Sequence, residues 1–110
     1  MRRQHFVALA CTLLLIGSLR AEELPTFQIV AKDGHFIPSQ IEVPAGRKIK
    51  LLFRNDGPGP EEFENTELRV EKVLAPGASS FVVIHNLRPG RYRFFGEFHP
   101  TTAECLLVAK

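Results

Sequence analysis

The fold is decided by PGRYRFFGEFHPTTAEC, Pro89 to Cys105. Pro89-Gly90 reads as a turn, because Pro fixes φ and Gly tolerates conformations other residues avoid. Behind it Tyr92 and Phe94 alternate with Arg93 and Phe95, the period of two that places one set of side chains inside and the other in water. The stretch around Glu97 to Glu104 reads as a loop. A strand is then expected over Glu104–Ala109.

Working outward, the same period recurs. Phe27, Ile29 and Ala31 alternate with Gln28, Val30 and Lys32, and Ile49, Leu51 and Phe53 alternate with Lys50, Leu52 and Arg54. Further strands are expected at Ile37–Val43, Leu68–Leu74 and Ser79–His85. Pro44-Ala45-Gly46, Pro58-Gly59-Pro60 and Pro76-Gly77 supply the turns, and Asn55 to Thr66 is the one long loop expected. Six or seven short strands with a turn every ten or so residues predict an all-β sandwich, one domain. No helical periodicity or internal repeat competes.

The first residues stand apart. Met1-Arg2-Arg3, an apolar run from Phe6 to Gly17 and Leu19-Arg20-Ala21 have the order of a secretory signal peptide, expected to be cut after residue 21. The run is shorter than the roughly 20 residues of a membrane-spanning helix, so no span is expected after cleavage. The mature part, residues 22–110, is then expected to be exported to the periplasm. Loss of Arg2, Arg3 and Arg20 leaves 11 basic residues against 12 acidic ones, without the clustered basic face that nucleic acid requires. Cys11 departs too, leaving Cys105 alone and no internal disulfide.

The order of motifs resembles the cupredoxins. It comprises Phe36-Ile37-Pro38, Ile41-Glu42-Val43-Pro44-Ala45-Gly46, a strand ending in Asn55, Ala75-Pro76-Gly77, and Pro89-Gly90-Arg91-Tyr92-Arg93-Phe94 leading into a second loop. The resemblance implies a Greek-key β-sandwich over residues 26–110 with a metal site at one end. Blue-copper members hold the ion with two His, a Cys thiolate and a weak axial Met, and their second loop reads like FFCxxHPxTM. Here Gly96 stands at the Cys position, His99 at the second His, Ala103 at the Met, and Glu61 at or near the first His. Only His99 remains of that set. Glu62-Phe63-Glu64, Val70 to Gly77 and Pro89-Gly90-Arg91-Tyr92 are similar, more narrowly, to the cupredoxin-like domains of bacterial iron-uptake systems of the EfeO and FtrB type. That similarity implies an accessory to a membrane iron permease or a periplasmic redox partner.

Carboxylates crowd the places where ligands are missing. Glu61, Glu62, Glu64 and Glu97 with His99 make an oxygen-rich, harder set, better matched to iron or manganese than to Cu(I), although Cu(II) also accepts imidazole and carboxylate, so an iron or copper ion is expected; a solvated acidic rim is the plainer reading of the same residues. Strand alternation would point Glu62 and Glu64 one way and Phe63 the other. Two other readings stay open: a copper electron-transfer protein using His99, Cys105 and His35, and a metal-free interaction module. No nucleophile motif of a hydrolase is present.

Overall fold

A computed structural model describes residues 24–110; the expected signal peptide lies outside them. Nine strands form two sheets: β1 (Thr26–Lys32), β2 (His35–Ile37), β3 (Gln40–Val43), β4 (Ile49–Asn55), β5 (Glu61–Asn65), β6 (Val70–Leu74), β7 (Ser79–Ile84), β8 (Gly90–Phe95) and β9 (Glu104–Ala109). One sheet runs β2-β1-β4-β7 and the other β3-β9-β8-β5-β6. The pairs β1–β4 and β3–β9 are parallel and the rest antiparallel. The all-β sandwich expected from the period-two pattern is what the chain forms.

Two expectations need correction. The stretch Ile37–Val43 is not one strand: Pro38 and Ser39 interrupt it, so β2 joins one sheet and β3 the other. A Pro has no N–H to give a ladder, which makes such a break a natural point for changing sheets. The long loop expected from Asn55 to Thr66 instead contains β5, whose backbone pairs with β6 from Glu61↔Leu74 to Asn65↔Val70. Three glutamates in five residues mask a strand whose inward Phe63 is fully buried.

Alternation builds the core from both sheets. Ile49, Leu51 and Phe53 of β4 point inward, as do Phe63 of β5, Tyr92 and Phe94 of β8, and Cys105 and Leu107 of β9. Four aromatic rings form a chain across the interior: Phe36 stacks on Phe63 with centroids 4.8 Å apart, Phe63 lies 5.0 Å from Phe53, and Phe53 lies 5.9 Å from Phe94. Such pairs add about 0.5–1.5 kcal/mol each beyond their area burial. Phe63, fully buried, contacts two of these rings, so the acidic strand is anchored in the core.

Side chains close the ends of the sandwich. Asn55 Nδ2 donates to the carbonyls of Gly59 and Leu74, both at 2.9 Å, while its Oδ1 accepts from Gly57 N–H at 2.8 Å. The loop of residues 56–60 is thereby fixed from within, and its buried backbone groups are satisfied. At the other end Tyr92 Oη donates to the Arg88 carbonyl at 2.6 Å, a corner known from other Greek-key sandwiches. Asn65 Nδ2 donates to the Arg93 carbonyl and its Oδ1 caps Leu68 N–H, tying β5 to β8 where the ladder between them is short.

Candidate metal centre

Strand β5 begins and strand β8 ends at the same pole, beside the β1–β2 turn and the loop 96–103. That loop is a compact turn: His99 N–H donates to Gly96 O, while Thr102 and Ala103 N–H both donate to His99 O. Thr102 Oγ1 donates to Gly34 O at 2.5 Å, fastening the loop to the β1–β2 turn. Gly34 has φ +78°, and a Cβ there would lie 2.9 Å from His99 Cδ2; the absence of a side chain lets the imidazole lie flat against the turn.

The five acidic and histidine candidates do not converge on one point, because successive residues of β5 face opposite ways. Glu61 points inward with Phe63. Its carboxylate is 3 % exposed, accepts from His99 Nδ1 at 2.7 Å and from Glu62 N–H at 3.1 Å. Glu61 and His99 thus pair across the end of the sandwich, beside a cavity of about 430 Å³ that Lys32, Gly34 and Gly57 also line. Gly96 completes this packing: a Cβ on it would fall 2.5 Å from Glu61 Oε1 and 2.7 Å from the Glu62 carbonyl. The Glu61 carboxylate fills the space into which a side chain at position 96 would project.

Glu62, Glu64 and Glu97 come together on the outer side of the five-stranded sheet, as alternation requires for the first two. One carboxylate oxygen from each lies within 4.8 Å of the others. Glu97 N–H donates to Glu62 Oε1 at 2.9 Å. The Glu62 carboxyl is pushed up to about 7, chiefly by burial and also by the neighbouring Glu71, Glu64 and Glu97, against the lowering effect of that N–H. Glu64 Oε1 is buried without a hydrogen-bond partner. Glu71, opposite Glu64 in the β5–β6 ladder, is a further carboxylate that sequence reading did not single out; the signal was its register, unavailable until β5 is known to be a strand.

Cys105 is fully buried on the core side of β9, and burial pushes its thiol up to about 12, so the thiolate that binds metal or reacts is disfavoured. His35 is exposed at the start of β2. His85 lies at the pole away from the candidate site. Asn55, buried and triply bonded, is the positioning residue that the sequence hid; an Asn before Asp-Gly-Pro-Gly-Pro is itself an Asx-turn signal.

The chain belongs to the Cupredoxin-like domain family, whose match spans residues 5–109. A protein of Rickettsia prowazekii (strain Madrid E), of uncharacterized function, is 38% identical over 81 residues, covering 74% of this chain and 65% of that relative's length. Among solved structures, reduced auracyanin from Roseiflexus castenholzii superposes with a TM-score of 0.68 at 14% identity, covering 81% of this chain and 99% of that one. Auracyanin A, a "blue" copper protein from Chloroflexus aurantiacus, gives 0.62 at 15% identity, covering 80% of this chain and 100% of its own. At these identities the likeness to the auracyanins is one of fold.

Proposed function

We propose that the protein is an exported metal-binding cupredoxin-like accessory of metal uptake, holding an iron or copper ion through the carboxylates of Glu62, Glu64 and Glu97. The observation that carries this reading is the trio itself: three carboxylates within 4.8 Å, one with a buried oxygen that nothing bonds. Packed so closely, their charges repel, and a bound cation would remove that cost. Glu61 and His99 serve in this reading as the brace that fixes the loop bearing Glu97. An all-oxygen set favours hard ions, which supports iron ahead of Cu(I). It would also stabilise Fe(III) over Fe(II), assisting ferrous iron oxidation once a redox partner takes the electron. Delivery to a membrane iron permease follows the resemblance to bacterial iron-uptake domains. An ordinary blue-copper centre has less support, since Gly96 stands against the Glu61 carboxylate and Cys105 is held in the core.

The test is an anaerobic titration of the purified protein with Fe(II), Cu(II) and Mn(II), repeated on a Glu62→Gln/Glu64→Gln/Glu97→Gln variant and on His99→Ala. Binding that the triple variant abolishes and His99→Ala weakens supports the site, and the preferred ion separates iron from copper. A parent protein that binds none of the three overturns it and leaves a metal-free interaction module.

A further inference from the structure

Charge is segregated along the strands. At the pole opposite the carboxylates, the loops 44–48, 66–69 and 85–89 carry Arg47, Lys48, Arg69 and Arg88, with Arg91 one residue into β8; all five are exposed. The loops are contiguous: Gly46 N–H donates to Leu87 O at 2.7 Å, and a cavity of about 180 Å³ joins Glu67 and Leu68 to the 85–88 segment. Glu67 is the single acidic residue in the three loops. Among the described residues the ion pairs are Arg54–Asp56, Arg93–Glu104, Lys110–Glu42 and His99–Glu61, so none of the five polar cations is neutralised by a direct partner. The other pole holds Asp33, Glu61, Glu62, Glu64 and Glu97, with Lys32 beside them. The two poles therefore carry opposite net charge.

We infer that the Arg47/Lys48/Arg69/Arg88/Arg91 pole is a peripheral docking surface for an anionic phospholipid bilayer, holding the carboxylate end outward. The composition of the pole selects this partner. A specific protein interface rests on buried aromatic or apolar anchors surrounded by a polar rim; the exposed large apolar side chains here are Leu24, Ile37, Val73, Phe81 and Phe98, and of these Leu24 alone lies near the pole. Long, unpaired cations spread over three loops match a diffuse negative surface instead, to which each contributes independently. The chain also enters the fold here, where Pro25 O accepts Lys50 N–H. The carboxylates, repelled by the same surface, face the compartment, an orientation suited to collecting a cation from solution. The inference stands independently of the metal reading.

The experiment is sedimentation of the mature part, residues 22–110, with vesicles of equimolar phosphatidylglycerol and phosphatidylcholine, and with vesicles of phosphatidylcholine alone. Partitioning is expected onto the acidic vesicles well above the neutral ones and is suppressed by salt. Arg88→Gln/Arg91→Gln should weaken it by roughly 25-fold, about fivefold per cation, while Glu62→Gln/Glu64→Gln should not weaken it. A thermal melt confirms that each variant is folded. Equal partitioning onto both vesicles, or an Arg88→Gln/Arg91→Gln variant that partitions like the parent, overturns the inference. So does failure to bind acidic vesicles at low salt.

Discussion

The two sides of β5 treat the same residue type in opposite ways. On the inner side Glu61 is buried, yet His99 and a backbone N–H satisfy it, and Gly96 leaves it room. On the outer side Glu62 and Glu64 are crowded by Glu97 and Glu71, and an oxygen of Glu64 is left with no partner. Burial alone therefore does not mark a functional carboxylate. In the proposed reading the inner one is a structural brace because its partners are all present, whereas the outer group is the one that a cation would complete.

The contrast can be broken at three depths. The largest effect belongs to Phe63→Ala, which removes the ring between Phe36 and Phe53 that holds the strand and both its faces in register; a loss of about 3–5 kcal/mol is expected, read by urea denaturation. A loss of under about 1 kcal/mol would show that β5 is not anchored by its inward ring.

Next comes Gly96→Ala, expected to cost about 1–3 kcal/mol through overpacking. Adding Glu61→Ala should recover the share due to the carboxylate but not the share due to the Glu62 carbonyl. A double-mutant cycle measures that coupling, and strict additivity would separate Gly96 from Glu61.

The smallest effect is a slope. Burial raises the Glu62 carboxyl from the ordinary 4.5 to about 7, so between those values the folded chain keeps a proton that the unfolded chain has released. This stabilisation is complete below about pH 4.5, falls as pH rises towards 7 and is absent above it. Metal-free melts across this range should show that decline, and Glu62→Gln should flatten it; stability rising with pH over the same interval in the parent, and falling once Gln replaces Glu62, would reverse the sign.

Much of the architecture was legible because packing follows period two. Ile49-Leu51-Phe53 and Tyr92-Phe94 declare their inner faces by residue type, and Glu104–Ala109 is a strand with the bounds that its pattern indicates. β5 was hidden because hydrophobicity is a vote of side chains, and one phenylalanine among three glutamates loses it, although the ladder to β6 and the ring stack outweigh the composition. The hairpin of β1 and β2, not expected above, turns at Asp33-Gly34, both at positive φ, a pairing that suits a two-residue turn. For the candidate site, sequence grouped the carboxylates at one end of the fold and put the opposite directions of Glu62 and Phe63 in view. It could not assign Glu61 to His99, because that contact joins segments 38 residues apart and depends on the empty position at Gly96.

The change of sheet at Pro38-Ser39 has a consequence for motion. On one flank the chain passes from β2 to β3 across those two residues, and on the other the short turn 75–78 passes from β6 to β7. Each edge of the sandwich is thus hinged shut by covalent chain. The sheets cannot part along either flank without first stripping a strand from its ladder, which should make amide exchange in the interior strands a global event and leave the two poles as the only doors.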